Sequence, residues 1–480
     1  MHGGCYRLMG CALALAAACS AVAVARGQEQ TPPQASPVAQ AAPDDAACLA
    51  ARVCELEKAL KKMDDKAKAD KAKADKAPSV KVIGRLQYDV AAFSQNAASI
   101  AQAGDMRNGT EFRRVRLGAM GDIFQVVDYK IEVDFAAQSA NLGTTANPSY
   151  LQQTALKDCY ITIKELPLAG NVRVGHFYEC FGLETQTSDN YVTFMERNLT
   201  SGVGQIGDRK PGVMAFDWNE AETMTWAVGA FAWQAPDTLS SFPLNTQYDD
   251  AGGTSFDSRF TWLPWYDEAT EGRGYMHLGG SYSYRDIAEL NPGSTSTRYS
   301  LSARPECHLA NNVVSTGNIV DADRENVFSP EFIYTYGPFS VQSEYMWIDL
   351  QRSANDNAML DGGYVQASYF LTGEHRPYLR REGLVGRVIP FENFFRVRTE
   401  DGAVCTGKGA WEVAYRVSYL NLTDAGIAGG RVVDNTFGLT WYLNPFTKVL
   451  FNYVHSETTD RGAYPRGIVD LVEARAMINF

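Results

Sequence analysis

The sequence predicts an all-β chain, folded as a 16-stranded antiparallel transmembrane β-barrel behind a short N-terminal α-helical coiled-coil segment. Three observations predict it. Residues 410–480 alternate: Trp411, Val413, Tyr415, Val417 and Tyr419 share one parity, while Glu412, Arg416 and Ser418 share the other. Side chains alternate across a strand, so such a segment has one apolar and one polar face. Beyond the first 25 residues, no stretch approaches eighteen consecutive apolar residues, so no helix is positioned to cross a bilayer. The third observation is a count of strand segments whose short links all fall on one side.

In chain order, 1–25 reads as a signal peptide, with Arg7 in the n-region, an apolar run from Leu8 to Ala18, and Ala23-Val24-Ala25 as the cleavage site. Residues 26–43 are a Pro/Gln/Ala linker expected to be disordered. Residues 44–77 carry Leu49, Val53, Leu56, Leu60 and Met63 in steps of four and three, flanked by Lys and Asp. That spacing predicts a coiled coil in the periplasm that helps form a homotrimer; a charged helical spacer is the plainer alternative. Pro78 stops the helix.

Residues 80–480 form the barrel, with strands expected at 80–93, 111–121, 127–135, 156–164, 171–177, 211–219, 224–234, 256–264, 274–285, 327–336, 339–348, 363–372, 410–421, 432–443, 447–457 and 468–480. A bacterial single-chain barrel has an even strand number, short periplasmic turns and long external loops. A seventeenth segment, 298–304, would put later short turns outside, so 286–326 is read as one external loop. The same count makes 422–431 an external loop and 178–210 the third one. It leaves 373–409 as a long periplasmic link rich in Arg, expected to enter the channel mouth or plug it. In the last strand, Val472, Ala474, Ala476, Ile478 and Phe480 oppose Glu473, Arg475 and Asn479; a terminal Phe resembles the insertion signal of outer-membrane barrels.

Mean hydropathy of −0.25 is compatible with a barrel, because inward polar residues mask outward apolar ones. The 24 Tyr, 23 Phe and 8 Trp suit interfacial girdles in contact with outer-membrane lipid. A net charge of −12 argues against nucleic acid as a partner. Six cysteines follow the signal peptide, with no CxxC pattern, so no metal or cofactor is expected; Cys159 and Cys180 are a candidate pair across one hairpin, and no pairing is assigned. Gly202-Val203-Gly204-Gln205-Ile206-Gly207 spells GxGxxG without a following helical pattern and reads as loop. The five histidines beyond the signal lack a local nucleophile signature, which disfavours an enzyme.

Several blocks resemble the phosphate-selective porin O/P family: Lys157-Asp158-Cys159-Tyr160, Val172-Arg173-Val174-Gly175-His176-Phe177, Phe181-Gly182-Leu183-Glu184, Asn190-Tyr191-Val192-Thr193-Phe194-Met195-Glu196-Arg197, Arg376-Pro377-Tyr378 and Leu439-Thr440-Trp441-Tyr442-Leu443-Asn444-Pro445. The resemblance implies a trimeric outer-membrane channel in which loop 178–210 folds inward. It also implies phosphate transport along inward Arg and Lys, although the ladder positions lie outside the matched blocks. From alternation alone, the pore candidates are Arg114, Arg116, Lys130 and Arg173 on strands, with Arg197, Arg209 and Lys210 around the third loop. Arg is suited to an anion path because it stays charged and its planar fork matches oxyanions. The alternative is that these cations pair with nearby acids and brace the wall. The expected function is passive diffusion of small hydrophilic solutes, anions such as phosphate among them. The competing reading is a largely closed barrel with a structural or surface role.

Overall fold

The computed structural model describes residues 61–62, 78–141, 150–203, 206–232, 253–287, 299–398 and 402–480. The signal peptide, the linker and the coiled coil lie outside these residues, apart from Lys61 and Lys62, which are helical.

Sixteen antiparallel strands close into a barrel. They are β1 (Lys81–Gln95), β2 (Gly109–Ile123), β3 (Val127–Asn141), β4 (Tyr150–Leu166), β5 (Gly170–Tyr178), β6 (Arg209–Trp218), β7 (Met224–Phe231) and β8 (Ser255–Tyr266). The second half comprises β9 (Gly274–Asp286), β10 (Ala322–Tyr336), β11 (Phe339–Arg352), β12 (Ala358–Phe370), β13 (Ala410–Asp424), β14 (Ile427–Asn444), β15 (Thr447–Thr459) and β16 (Gly467–Asn479). Each overlaps its sequence-expected segment. The barrel closes through β1 and β16, with Leu86 opposite Ile478 and Val90 opposite Ala474. Phe480 extends this seam: its N–H donates to the Gly84 carbonyl at 3.0 Å, and its carbonyl accepts from the Gly84 N–H at 3.1 Å. Gly84 leaves room for the Phe480 ring, which a Cβ at its present position would approach to 2.5 Å.

Closure leaves the barrel sheet without an edge, and alternation turns the wall inside out relative to a water-soluble domain. Leu117, Ile131, Ile161, Val213, Phe260, Val365, Phe451, Val472 and Ile478 are exposed on the outer face. Trp262, Trp265, Tyr336, Phe339, Trp347 and Tyr369 add exposed aromatics to it. Gln87, Asp89, Arg116, Asp134, Thr162, Arg416 and Arg475 are buried on the inner face. Only a lipid solvent makes that arrangement favourable.

Two expectations are corrected. Residues 422–431 are no loop: β13 and β14 run on to a two-residue turn, Ala425 (φ 46°) and Gly426 (φ 83°), whose paired positive φ values suit the right-handed strand twist. Cys159 and Cys180 remain free thiols, and Cys180 Sγ donates to the Asp257 carbonyl at 3.3 Å.

Three connections fill much of the lumen. From the end carrying the long loops come 179–208 and 287–321. The second is one inter-strand connection, as expected, but its described part, 299–321, folds inward: Ser302–Ala303 pairs with Val314–Ser315 rather than joining the wall. Leu199, Val203 and Ile206 of the first loop join Tyr299, Leu301, Val313 and Val314 of the second in an apolar core against Ile348, Leu350, Leu360 and Leu420. From the short-turn end, a hairpin of Tyr378–Leu379 and Leu384–Val385 packs on Leu263, Tyr275, Ile333 and Leu183. Arg259 holds this hairpin by donating to the Glu382 and Gly383 carbonyls. Within 373–409, the part around 378–385 thus enters the lumen, while Phe391, Phe394 and Phe395 beyond it are exposed.

Candidate solute pathway

Beside β2 to β7 the lumen holds two chambers of about 470 Å³ each. The loop-end chamber is lined by Arg113, Arg114, Arg116 and Arg197, together with Arg304, Glu306 and His308 of the 287–321 loop. The turn-end chamber is lined by Arg85, Lys130, Tyr160, Arg173, Phe216 and the plug residues Arg381 and Glu382. Tyr178, Asp189 and Arg209 line both chambers and stand between them.

Loop 179–208 is pinned before it reaches that point. Gly182, at φ 75°, makes the turn into the short helix α1 (Leu183–Gln186). The N–H groups of Leu183 and Glu184 donate to the Glu344 carboxylate on β11 at 2.6 and 2.9 Å. Glu184 in turn accepts from the Asn198 backbone at 2.8 Å and from Arg416 at 3.1 Å. The loop is thus tied across the barrel, and Asp189 hangs from it.

Four guanidinium groups converge on Asp189: Arg197 at 2.5 Å, Arg85 at 2.9 Å, Arg114 at 3.1 Å and Arg116 at 3.5 Å. Burial alone would push the Asp189 carboxyl up, but Arg114, Arg197, Arg116 and Arg85 hold it well below the usual carboxylate range. Arg116 also reaches Asp134 at 2.7 Å and Glu132 at 3.1 Å. Asp158 bridges Lys130 at 2.5 Å and Arg209 at 2.8 Å, and the Arg209 guanidinium lies 3.9 Å from the Tyr178 ring centre. Both chambers keep a cationic surplus in a chain that is acidic as a whole. Seven Arg and Lys line the loop-end chamber against four carboxylates, and seven line the turn-end chamber against five.

Of the sequence candidates, Arg114, Arg116 and Arg197 line the loop-end chamber, Lys130 and Arg173 the turn-end chamber, and Arg209 both. Lys210 lines neither; it is buried, and its charge acts on Glu179. Sequence reasoning missed Arg85, Arg113, Tyr178 and Asp189. Arg85 shares its parity with Gln87 and Asp89, so alternation carried its signal. Arg113 has the wrong parity. A bulge makes Gln87 face Arg114 while Tyr88 faces Phe112, so Arg113 escapes the alternation and reaches Glu196 at 2.9 Å. Asp189 sits in irregular chain, where no period points to it.

Residues 80–480 match the family model described as phosphate-selective porin O and P. Porin O of Pseudomonas aeruginosa is 27% identical over 415 residues, covering 79% of this chain and 83% of that protein. An uncharacterized protein of Caulobacter vibrioides is 25% identical over 390 residues, covering 81% of this chain and 70% of that one. An anion-selective porin from Comamonas acidovorans superposes with a TM-score of 0.47 at 12% identity, covering 84% of this chain and all of that one.

Proposed function

Since this chain belongs to the phosphate-selective porin O and P family and is an outer-membrane porin channel, we propose that it passes small anions, phosphate among them, by passive diffusion through the two chambers. The observation that carries this reading is the convergence of Arg85, Arg114, Arg116 and Arg197 on the single carboxylate of Asp189 where the chambers meet. One carboxylate neutralises one of four guanidinium groups. Of the four, Arg116 also pairs with Asp134 and Glu132, and the other three reach Asp189, leaving a positive local field. Coulomb attraction strengthens as the dielectric falls, so an anion is drawn to this point and a cation repelled. The pairings at Asp189 also serve the flow: a solute oxyanion exchanges with a carboxylate already in place, so these four arginines do not trap their cargo.

The candidates Arg114, Arg116, Lys130, Arg173, Arg197 and Arg209 are proposed as the path, with Lys210 a brace behind it. The proposal places the long loops outside the cell and has the plug hairpin enter the lumen from the periplasmic side. It also takes the channel as a homotrimer, with segment 44–77 as a periplasmic coiled coil once 1–25 is removed. Loss of the trimer in detergent on deleting 26–77 would support the coiled-coil part.

A planar-bilayer recording tests the transport reading. The reversal potential in a KCl gradient should lie toward chloride, and phosphate should block chloride current at low concentration. Arg197→Ala and Arg116→Ala should each reduce anion preference; unchanged reversal potentials in both would mean that these arginines only brace the wall. The structural alternative draws on the filling of the lumen by three segments. Absence of any conductance would favour it.

A further inference from the structure

The two chambers differ in chemistry. Tyr178, at the shared boundary, is the one Tyr, Phe or Trp among the described residues lining the loop-end chamber, whereas Tyr160, Phe177, Phe216 and Trp218 also line the turn-end chamber. These rings come from β4, β5 and β6, whose inward positions stand side by side: Thr162 opposite Arg173, and Arg173 opposite Met214. Arg173 is at their centre. Its guanidinium lies 4.1 Å from the Tyr160 ring centre, 5.0 Å from Phe216 and 5.6 Å from Phe177. Its Nε donates to Thr162 Oγ1 at 3.0 Å.

The other six cations of this chamber are each paired with a carboxylate: Arg85 with Asp189, Lys130 and Arg209 with Asp158, Lys164 with Asp128, Arg259 with Glu331, and Arg381 with Glu222. Arg173 has no ion pair among the described residues. Glu382 of the plug feels its charge without pairing with it. Stacking covers the flat faces of the guanidinium and Thr162 takes Nε, so the edge bearing the two terminal nitrogens is what remains to offer.

We propose that the turn-end chamber is a binding site for small aromatic carboxylates. The carboxylate takes the two terminal nitrogens of Arg173 in bidentate fashion, and the ring lies along Phe216 and Trp218. This rests on the porin reading and names a second substrate class for it. A hydrated inorganic anion gains nothing from an aromatic wall, whereas a planar organic anion desolvates its ring there while keeping its charge satisfied. The chamber volume of about 470 Å³ is that of a small-molecule cleft.

The test compares benzoate with acetate, which carries the same carboxylate without a ring. In planar-bilayer recordings of the full-length protein in KCl, benzoate should half-block the current at a concentration about tenfold below acetate. Arg173→Gln and Phe216→Leu should each bring that ratio close to one. Equal block by the two anions in a conducting channel overturns the proposal and leaves the porin reading intact. If KCl carries no current, the porin reading fails by itself. Calorimetric titration of the detergent-solubilised protein then decides: tighter benzoate binding that Arg173→Gln abolishes supports the site, and equal affinities overturn it.

Discussion

Asp189 shows how much one side chain can carry in an irregular loop. It is the single acid shared by Arg85, Arg114, Arg116 and Arg197. Asp189→Asn leaves these guanidiniums facing each other, a loss on the order of 3–5 kcal/mol for a broken buried pair. The same change raises local positive charge, so the reversal potential in a KCl gradient should move further toward chloride; a move toward potassium would falsify the assignment of this residue to the path. The pH dependence follows from the depressed carboxyl. A group whose folded pKa is lowered stabilises the fold fully above its unfolded value of about 4, and loses that contribution only as pH falls through the folded value. Ion selectivity should therefore be the same at pH 7 and pH 5, measured in one bilayer with buffer exchange. Little of this was legible in advance. Arg114, Arg116 and Arg173 declared themselves by strand parity, but parity has no meaning at residue 189, and the bulge beside Arg113 breaks it where it should apply.

Among the elements, strands and loops differ sharply in legibility for one physical reason. A strand in lipid must show apolar atoms on every second residue, so its sequence is constrained over its whole length, and all sixteen segments are readable. A loop that folds into the lumen is constrained only where it touches the wall. Loop 287–321 touches it through Glu306, which accepts from Arg416 Nε at 3.0 Å, from Thr436 at 2.5 Å and from Ser418. Next to it, His308 pairs with Glu111 at 2.8 Å. Neither contact has a local sequence signature, and alternation places the segment only within an external loop, 286–326. Glu306→Ala removes the acid from a fully buried pair and should cost about 3–5 kcal/mol. We expect the loop to undock, seen as larger and noisier single-channel currents. Quiet, wild-type-like currents would show that the apolar contacts of Leu301 and Val314 suffice to hold it.

For the whole molecule, stability depends on which side of the wall a residue faces. Phe451, midway along β15, is exposed to lipid, and its neighbour Asn452 is buried in the lumen. Phe451→Arg should destabilise the barrel by roughly 2–4 kcal/mol, the cost of a cation near the bilayer midplane. Urea unfolding of the protein refolded in lipid vesicles would measure it. A change under about 1 kcal/mol would mean that Phe451 faces protein, for instance a neighbouring subunit, rather than lipid. The same outward-inward rule explains why mean hydropathy and net charge said little about the interior: each averages over two surfaces that answer to different solvents.

On the proposed path through both chambers, the division of the lumen at Tyr178, Asp189 and Arg209 also sets how flux responds to change. Two compartments joined end to end behave as resistors in series. Their resistances add, so the tighter one governs throughput, and relieving the other changes the current little. Discrimination behaves differently: a solute must be accepted twice, and the two rejection ratios multiply. Because one compartment is walled by loops that enter from one mouth and the other is floored by a hairpin from the opposite mouth, substitutions can retune either ratio while the other is left alone.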